Sequence, residues 1–583
     1  MAEQATAAPS LFDPVRIGGV ELRNRTLLPS MTTRLADDDG FVTEATIAYY
    51  RARAEGGVGL VTVEMASPEI AGRHRFRELG ICHDRYLPGL RRLVGAVHAA
   101  GAKASIQLGH GGSRARSVVS GTTPVAPSAV PTPVFEIEAE LAVPQAMTRE
   151  RIAETTDAFV AAARRAQEAG FDLVELHGAH GYLISQFLSP SENVRTDEYG
   201  GSLENRARFG LDVLRRIRAE VPEIPVIFRI GVEDFFPGGV ALDEGIQVGR
   251  WAAELGAAAV SVTAGHYRSL PSAERMIPPM RYPAATFVEY AARMRKEVDI
   301  PVIGVGQLGD PELAARAVAE EALDVVALGR PLIADPEWVN KAQEGRPVRR
   351  CLACNHCITS MRSGNQLTCV VNPTAGREHL YEDRPRNQGL RIVVVGAGPA
   401  GLTYAAEAAD GNDVTVVEQA AEAGGALRLA GLAPRFNDVD AVERTFEAYI
   451  EELVRDCRER GVSFRFGRAV EPADVRDADV VVVATGAHYR FGLGRLVPRL
   501  LRSRLGRSRP AARLFASPRL RDLLYYRLRV GRGQALVPRL AAGSDTRVVV
   551  LGDAARAGKT RDAVVAAHDA ALLHVPRPVT TTP

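Results

Sequence analysis

The sequence is poor in cysteine, in aromatic residues and in long apolar runs. Of 583 residues only six are cysteine and two are tryptophan, and aromatic residues make up 6%. No apolar run reaches the roughly 18 residues that a membrane-spanning helix needs. The N-terminal segment, MAEQATAAPSLFDP, lacks the basic start and the apolar stretch of a signal peptide. These absences argue against a disulfide-stabilised secreted protein and against a membrane-spanning one, and they favour a cytoplasmic location.

Acidic and basic residues nearly balance over the whole chain, but they are unevenly distributed. The formal net charge is +2, and residues 490–539 contain fourteen Arg, one Asp, no Lys and no Glu. That window contributes 14 − 1 = +13, so the rest of the chain carries 2 − 13 = −11. Because the remainder is acidic, nucleic-acid binding is not expected. The length is too great for a single core, so we expect roughly two to four domains.

Eight short apolar runs alternate with helical stretches over the first 340 residues or so. Residues 155–170 and 310–322, for example, have apolar residues at spacings of three and four, which indicates amphipathic helices. Strands that alternate with helices predict an α/β fold in which a parallel sheet closes into a (β/α)8 barrel. The predicted strands lie in residues 25–30, 58–64, 103–109, 171–178, 224–231, 257–265, 300–306 and 323–330.

Polar residues cluster at the predicted C-terminal ends of these strands, where barrels of this type carry their chemistry. Any one of them is explained equally well by a structural hydrogen bond, but nine at one end of a barrel indicate a site. They are Ser30, Glu64, Gln107, His110, His177, His180, Arg229, His266 and Arg330.

Four of the six cysteines lie together after the barrel, in a C-x2-C-x2-C-x11-C run. Thiolates at this spacing hold either an iron–sulfur cluster or a zinc ion. A four-cysteine zinc site usually consists of two separated C-x2-C pairs. Three cysteines within seven residues, followed by a distant fourth, favour a [4Fe–4S] cluster instead. The candidate ligands are Cys351, Cys354, Cys357 and Cys369.

A dinucleotide-binding unit is predicted directly after the cysteines, over residues 388–418. GAGPAG, at residues 396–401, follows the apolar strand RIVVV and opens a helix, and Glu418 ends the next strand. In such a unit the three glycines permit a tight turn, close approach of a pyrophosphate and helix packing, and the carboxylate takes the ribose hydroxyls. The residues concerned are Gly396, Gly398, Gly401 and Glu418.

In these motifs the chain resembles the multidomain flavoproteins of the old yellow enzyme type, which include 2,4-dienoyl-CoA reductase and trimethylamine dehydrogenase. The resemblance rests on residues 177–209, HGAHGYLISQFLSPSENVRTDEYGGSLENRARF, on the cysteine run, on GAGPAGL and on ATG at 484–486. It covers roughly residues 10–487 and resumes at 548–554. It implies an FMN barrel over residues 1–345, a cluster segment over 346–387 and a Rossmann-like FAD or ADP domain over 388–583.

The resemblance also implies roles for individual residues. FMN would lie in the barrel, with its ring lined by Pro29, Ser30, Met31, Glu64 and Gln107. Arg229 would lie near the pyrimidine end of that ring. The FMN phosphate would bind at Gly306, Gly329 and Arg330, and Asp553 would meet the ribityl chain of FAD in the second flavin domain.

The activity that the resemblance implies is reduction of an electron-poor C=C bond conjugated to a carbonyl. His177 and His180 would hydrogen-bond the carbonyl oxygen, and Tyr182 would give a proton to the carbon that does not receive hydride. A phenol suits this role because its pKa near 10 keeps it protonated at neutral pH. His266 would assist Tyr182.

The amine dehydrogenase branch of the same family is less similar in its catalytic residues. The two-residue gap between the second and third cysteines matches that branch. The aromatic residues that surround its cationic substrate correspond here to Met65, Val260 and Met361. Its covalent-flavin cysteine corresponds to Met31 and its catalytic aspartate to His266. Two further interpretations stay open: a dehydrogenase that passes electrons to a carrier protein, and a non-catalytic electron-transfer subunit.

The region between ATG and the closing GD motif is shorter than in the dienoyl-CoA reductase branch. About sixty residues separate the two motifs and contain no second GxGxxG, whereas a single βαβ unit already needs about thirty residues. We therefore expect the NADPH domain to be absent or reduced to an arginine-rich insert at about 488–545. The insert could contact an anionic membrane surface, bind an acidic electron carrier or only connect the flanking strands. NAD(P)H could instead reduce FMN directly, and a homo-oligomer is compatible with the sequence.

Overall fold

A computed structural model describes residues 8–132, 143–382, 386–436, 439–489 and 546–572, together with part of the stretch from 496 to 540. The chain divides into two compact units. The first comprises residues 1–353 and 357–367, and the second comprises 354–356 and 368–583.

The first unit is a closed barrel of eight parallel strands, as the alternation of apolar runs predicts. Each strand pairs with the strands before and after it in the chain, and the last pairs with the first. The strands are β1 Thr26–Leu28, β2 Leu60–Ala66, β3 Lys103–Leu108, β4 Leu173–Gly178, β5 Val226–Gly231, β6 Ala259–Thr263, β7 Val302–Gly304 and β8 Val325–Ala327.

Amphipathic helices connect the strands, and side-chain caps fix where several of them begin. The helix predicted at 155–170 starts earlier, at Arg149, because the Thr148 hydroxyl accepts a hydrogen bond from the Arg151 N–H. Asp310 caps the helix predicted at 310–322 in the same way. The connecting helices are α1 Glu44–Glu55, α2 Leu87–Ala99, α3 Arg149–Ala169, α4 Leu203–Glu220, α5 Leu242–Glu254, α6 Val288–Arg295 and α7 Pro311–Ala319.

An apolar layer fills the N-terminal end of the barrel. A short hairpin, Val15–Ile17 with Val20–Leu22, inserts Ile17 and Leu22 among buried residues from the strands, including Leu60 and Leu173. Gly18, at the turn of this hairpin, lies so close to Pro225 that a Cβ there would be 2.5 Å from the proline Cβ. Because this end is apolar and closed, the polar side chains of the barrel interior lie toward the C-terminal ends of the strands.

Several short helices lie at the C-terminal end of the barrel. Leu183–Leu188 follows β4, Leu270–Met276 follows β6, and Gly329–Ala334 follows β8. A further short helix, Ser117–Ser120, lies in the connection after β3. These segments place backbone and side chains around the opening that the candidate site occupies.

The second unit contains a five-stranded parallel sheet. Its strands are β9 Arg391–Val395, β10 Asp413–Glu418, β11 Ser463–Phe466, β12 Val480–Val483 and β13 Arg547–Val550. They lie in the order β11-β10-β9-β12-β13. This is the order in which a doubly wound nucleotide-binding sheet begins, with the glycine-rich turn after its central strand. Its main helices are α8 Pro399–Ala408, α9 Glu443–Glu459 and α10 Thr560–Leu572.

The sheet closes normally across the arginine-rich insert. β13 pairs in parallel with β12, in the register Val481↔Val548. Ala487–Tyr489, at the start of the insert, pairs antiparallel with Arg529–Gly531 further along it. Parts of the insert lie outside the described residues, and what the insert binds stays a prediction. Within the part of the chain that the structure describes, no helix is long and apolar enough to cross a membrane.

Candidate active site

Two predicted site residues, Ser30 and Gln107, form one polar network inside the barrel with a third residue, Glu175. The Ser30 hydroxyl donates to Oε1 of Gln107 at 3.0 Å, and Nε2 of Gln107 donates to Oε1 of Glu175 at 2.6 Å. The register of β3 against β4 sets Gln107 directly beside Glu175. The network therefore fixes the amide of Gln107, with its oxygen toward Ser30.

Arg229 belongs to the same layer. It lies on β5 between His177 of β4 and Ser261 of β6, and its guanidinium donates to the Ser261 hydroxyl at 3.1 Å. Burial raises the pKa of Glu175, although the Arg229 charge opposes that shift. Burial likewise lowers the pKa of Arg229, and Glu175 opposes it. The pair thus places a cation and a carboxyl group in the barrel interior.

Glu175 was missed by the sequence analysis although the sequence contains a signal for it. It occupies a strand whose residues are all buried, and it is two residues before His177. Alternate residues of a strand face the same side, so Glu175 and His177 both point into the barrel. The sequence signal for Glu175 is a carboxyl group within a buried strand, two residues before a predicted catalytic histidine and on the same face.

Glu64, which the resemblance places at the flavin ring, is held by the loop after β1. It accepts hydrogen bonds from the backbone N–H of Thr33 at 2.9 Å and from its hydroxyl at 2.5 Å. Burial raises the pKa of Glu64 to about 7, although the hydrogen bonds from Thr33 work against that shift. The carboxyl group anchors the segment that follows Pro29, Ser30 and Met31, and its contact with a flavin stays a prediction.

We expect Glu64→Gln to change how stability depends on pH. A carboxyl whose pKa is raised on folding stabilises the fold below its unfolded pKa, and that stabilisation is lost as pH rises toward 7. The loss amounts to about 3 kcal/mol. Glutamine does not titrate, so the variant should gain thermal stability relative to the wild type between about pH 4.5 and pH 7. Thermal midpoints of both proteins across this range test the prediction, and a constant difference between them would contradict it.

The predicted phosphate-binding residues lie after β7 and β8. Gly306 has a φ of +120°, which favours glycine, and Gly329 opens the helix Gly329–Ala334. A Cβ at Gly329 would lie 3.1 Å from Sδ of Met31 and 3.4 Å from Cγ of Pro29. The β8 loop and the β1 loop are therefore neighbours. Arg330 donates to the carbonyl of Pro278 at 2.8 Å, which fixes its guanidinium in the same region.

The arrangement of these residues fits the flavin that the resemblance implies. Polar side chains from β3 and β5 line the barrel interior, and the residues proposed for ring and phosphate lie in adjacent loops. Glycine in both phosphate loops would let a phosphate group approach the backbone N–H groups.

The predicted catalytic residues come together at the end of β4. The ring of His177 lies 5.2 Å from that of His180 and 5.0 Å from that of Tyr182, measured between centroids. His180 has a φ of +64°, and its Nε2 lies 3.1 Å from the Thr263 hydroxyl. The strained turn after β4 thus directs three polar rings toward one another.

Burial favours the neutral form of both histidines. Burial lowers the pKa of His177 well below its usual value, and the charges of Arg229 and His74 add to the effect. Burial also lowers the pKa of His180 well below its usual value, with further contributions from His177, Arg229 and His266. Nδ1 of His177 is buried and has no hydrogen-bond partner among the described residues. A neutral imidazole can donate one N–H to a bound oxygen atom.

His266, predicted to assist Tyr182, is engaged elsewhere. Its Nδ1 accepts the backbone N–H of Arg268 at 3.0 Å, and its Nε2 lies 3.1 Å from Glu192. Burial alone would raise the pKa of Glu192, but His266, Arg114 and Arg268 outweigh it and lower that pKa. His266 therefore pairs with a carboxylate, and its predicted role beside the tyrosine is not supported by its contacts.

The histidine that does contact the Tyr182 hydroxyl is His74, which the sequence analysis did not select. Nε2 of His74 lies 3.3 Å from that hydroxyl, and the two rings pack edge to face at 5.1 Å. His74 lies in the loop after β2, more than a hundred residues from Tyr182 in the chain. His110, another residue at a predicted strand end, lies 3.0 Å from Glu69 instead. No motif in the sequence pairs residues at such separations.

Two of the four candidate ligands, Cys354 and Cys357, are buried. The backbone N–H of Ala353 donates to Sγ of Cys351 at 3.3 Å. Ala353 and Asn355 both have positive φ values, of 47° and 54°. Left-handed residues in such a run turn backbone N–H groups toward one side, as in loops that hold iron–sulfur clusters. Across the described residues, no group of three or more potential ligands is arranged to hold a metal ion, so the cluster stays a prediction.

The dinucleotide turn has the geometry that its three glycines predict. Gly396 has a φ of +109°, and a Cβ there would lie 2.6 Å from the carbonyl oxygen of Ala484. A Cβ at Gly401 would lie 1.9 Å from the carbonyl oxygen of Gly396. At Gly398, by contrast, a Cβ would meet no described atom within 4 Å. Glu418 accepts the Ala397 N–H at 2.7 Å, at the end of β10 beside the turn.

We expect Gly398→Ala to weaken dinucleotide binding without disturbing the fold. The backbone of Gly398 has ordinary dihedral angles, so alanine fits there, but its methyl group would occupy the space of a pyrophosphate. The dissociation constant for the nucleotide should rise about tenfold or more, which corresponds to roughly 1.4 kcal/mol.

Gly396→Ala is the matched comparison, since it should destabilise the second unit itself. Calorimetric titration with FAD and with ADP, beside thermal unfolding, separates the two effects. Wild-type affinity in Gly398→Ala would contradict this account of the turn.

Asp553, predicted to meet a flavin ribityl chain, has its carboxylate paired within the protein. Oδ2 accepts a hydrogen bond from Arg529 at 2.6 Å, and Oδ1 accepts the Gly558 N–H at 2.9 Å. Arg529 belongs to the end of the arginine-rich insert. The insert therefore supplies a cation at the GD motif, and a ribityl hydroxyl would have to share the carboxylate with it.

Comparisons with known proteins agree with this architecture. The family model described as NADH:flavin oxidoreductase / NADH oxidase family matches residues 10–349, and one described as an NAD(P)-binding Rossmann-like domain matches 394–445. An NADH oxidase of Thermoanaerobacter brockii is 40% identical over 494 residues, which cover 83% of this chain and 73% of that protein.

Two relatives at equal identity differ in the reaction that their names describe. An N,N-dimethylglycine/sarcosine dehydrogenase of Chromohalobacter salexigens is 33% identical over 494 residues, or 82% of this chain and 70% of that protein. A cinnamate reductase of Clostridium sporogenes is 33% identical over 506 residues, or 82% of this chain and 74% of that protein. Overall identity therefore does not distinguish the two reactions. The choice between them depends on the residues of the site.

Proposed function

Because the chain belongs to the NADH:flavin oxidoreductase / NADH oxidase family and is a flavin-dependent oxidoreductase, we propose that it reduces a C=C bond conjugated to a carbonyl group. The observation that carries this proposal is the grouping of His177, His180 and Tyr182 at the end of β4. Hydrogen-bond donors and a proton donor around one small volume suit an activated alkene. Enones, enoic acids and enoyl thioesters, including dienoyl-CoA, belong to this substrate class.

The two histidines would bind and polarise the carbonyl oxygen. Their lowered pKa values keep both rings neutral, so each can donate an N–H without carrying a charge that would need a counter-ion. Nδ1 of His177 is buried without a partner among the described residues, so a substrate oxygen would satisfy it. Donors that are already oriented stabilise the negative charge that develops on the oxygen as the β-carbon accepts hydride.

Tyr182 would supply the proton. Tyr182 is 6% exposed, it directly precedes the Leu183–Leu188 helix, and its ring lies 5.0 Å from that of His177, measured between centroids. At neutral pH a phenol is protonated, and it can protonate the α-carbon while hydride goes to the β-carbon. Two hydrogens are thus added across the double bond, one as hydride and one as a proton.

The remaining residues would hold the cofactors. When bound in the barrel, FMN would supply the hydride. Gln107, held by Glu175, and Arg229, held by Ser261, would contact its ring. The charge of Arg229 would stabilise electron density gained there. The four cysteines would hold a [4Fe–4S] cluster, and the turn at Gly396, Gly398 and Gly401 would bind FAD or an ADP moiety.

Anaerobic stopped-flow spectroscopy tests the proposal. The fully reduced protein is mixed with a panel of enones, cinnamate-type acids and enoyl-CoA thioesters, and the return of oxidised flavin absorbance is followed. At least one member should reoxidise the flavin in a saturable, concentration-dependent way. If no member of the panel accelerates reoxidation of the flavin, the proposal is wrong.

A second candidate function, oxidation of a small organic substrate with electron transfer to a carrier protein, is favoured by the cysteine run and by the 33% identity to a dimethylglycine/sarcosine dehydrogenase. The aliphatic side chains at Met65, Val260 and Met361 disfavour a cationic amine substrate. This second function predicts that dimethylglycine, sarcosine or another methylamine bleaches the oxidised flavin anaerobically without NAD(P)H. It also predicts an EPR signal from a reduced cluster in the same sample.

A further inference from the structure

Two arginine side chains lie against Tyr267, the tyrosine next to the proposed proton donor. The rings of Tyr267 and Tyr182 pack edge to face, with 6.0 Å between their centroids. The guanidinium carbons of Arg114 and Arg362 lie 5.4 Å and 5.3 Å from the centroid of the Tyr267 ring. Arg114 follows β3, Tyr267 follows β6, and Arg362 ends the short helix His356–Arg362. Segments that are distant in the chain thus place two cations beside one ring, and all of these contacts lie within the first unit.

Both arginines have buried nitrogen atoms that lack a hydrogen-bond partner. The side chain of Arg114 is only 10% exposed. Its Nε donates to the carbonyl of Gly181 at 2.8 Å, but its buried Nη2 donates to none of the described residues. The buried Nε of Arg362 likewise has no acceptor among them. Because a buried donor without an acceptor costs free energy, a ligand that accepts hydrogen bonds from these groups would bind favourably.

Positive charge exceeds negative charge among the groups beside Tyr267. Oε1 of Glu192 lies 3.8 Å from Nη2 of Arg114 and 3.8 Å from Nη1 of Arg268, which is too long for a hydrogen bond in either case. One carboxylate therefore faces two guanidinium groups, and Arg362 adds a third. An anionic ligand would balance this charge and relieve the mutual repulsion of the cations.

We propose that Arg114 and Arg362 bind an anionic group of the substrate, a carboxylate or a phosphate, that is separate from its activated carbonyl. The inference rests on the proposed reduction of an activated alkene. The two histidines at the end of β4 would hold the carbonyl, and the anion would lie next to Tyr267. The planar fork of an arginine matches the oxygen atoms of either anion. Substrates with such a second group should therefore bind more tightly than neutral enones.

Equilibrium binding to the oxidised protein tests this subsite without the reaction. The probes are saturated ketones that end in a carboxylate, a phosphate monoester or a methyl ester, with spacers of increasing length, and calorimetry gives their dissociation constants. At least one anionic probe should bind about 10- to 100-fold more tightly than the methyl ester of the same length, the range for hydrogen bonds to a charged group. Added salt should reduce the difference. The carboxylate and phosphate probes distinguish the two anions.

Variants of Arg362 assign the preference to this place. Arg362→Gln should bring the dissociation constants of the anionic probe and its methyl ester close together. Arg362→Lys keeps the charge but not the fork, so it should retain part of the preference. Arg458 is the matched control, because its guanidinium carbon lies 5.9 Å from the ring centroid of Phe464 in the second unit. Arg458→Gln should keep the full preference, and flavin content with thermal unfolding shows whether each variant is folded.

The outcomes separate this inference from the proposed function. Equal affinity of the wild type for every anionic probe and its methyl ester would overturn the inference, and so would a preference that survives in Arg362→Gln. Reduction by NADH and NADPH is measured in the same variants. If Arg362→Gln weakens only the nicotinamide cofactor, the anion is a cofactor phosphate and the inference is wrong. If the anionic probes bind as expected but no unsaturated counterpart reoxidises the reduced flavin, the proposed function is wrong and the anion subsite is retained.

Discussion

Tyr182→Phe is expected to slow reoxidation of the reduced flavin by an enone about 100- to 10,000-fold, the range that a general acid contributes. The substitution removes one oxygen atom and leaves the ring contacts with His177, His74 and Tyr267 in place. Hydride transfer to the β-carbon builds up charge that only a proton at the α-carbon can neutralise. Anaerobic stopped-flow spectroscopy of the reduced variant measures the rate.

The reductive half of the reaction provides the control for that experiment. Tyr182 takes no part in the transfer of hydride to the flavin, so reduction by NADH or by dithionite should proceed as in the wild type. Tyr199→Phe is a suitable second control, because Tyr199 packs against Phe187 in the connection that follows the site. An enone that reoxidises Tyr182→Phe at the wild-type rate would remove the tyrosine from the mechanism.

Replacement of Cys357 by serine is expected to eliminate the cluster. A [4Fe–4S] centre needs all four thiolates, so iron and acid-labile sulfide should fall from about four per chain to near zero. FMN should remain bound at wild-type stoichiometry, since its proposed ligands come from the barrel strands and their loops. Anaerobic purification with iron, sulfide and flavin analysis gives all three numbers.

Two other cysteines of the chain serve as matched controls for the cluster. Cys82 is half-buried in the loop after β2, and Cys457 is buried in α9, where its thiol contacts the Leu402 carbonyl at 3.2 Å. Burial raises the pKa of Cys457 to about 12, so it carries no thiolate at neutral pH. Serine at either position should leave the iron content unchanged. Zinc in place of iron in the wild type, or full iron content in Cys357→Ser, would contradict the assignment.

Features with a local sequence signature were predicted correctly. The eight barrel strands, the glycine-rich turn and the closing strand β13 each have their own apolar run or motif, and the structure contains all of them. His177, His180 and Tyr182 lie within six residues of one another, so their proximity follows from the chain itself. Periodicity and motif spacing suffice for such features because the contacts they describe are short in sequence.

Features that depend on contacts between distant loops were not predicted. His74, in the loop after β2, contacts the Tyr182 hydroxyl. Glu192 pairs with His266, and Arg529 of the insert pairs with Asp553. No sequence motif links the two residues of any of these contacts. Each contact also involves a polar or charged side chain that could have paired with a different residue. Tertiary packing decides such pairs, and a single sequence records only that the charged groups exist.

The central claim is that hydride and proton add across an activated double bond in the barrel, and isotopic labelling of the product tests it most directly. The protein is reduced anaerobically with NADH or NADPH deuterated at the transferred position and mixed with an enone found active by stopped-flow spectroscopy. The saturated product is then analysed by mass spectrometry and NMR. We predict one deuterium at the β-carbon and one solvent-derived hydrogen at the α-carbon. Deuterium at the α-carbon, or no saturated product, would contradict the account.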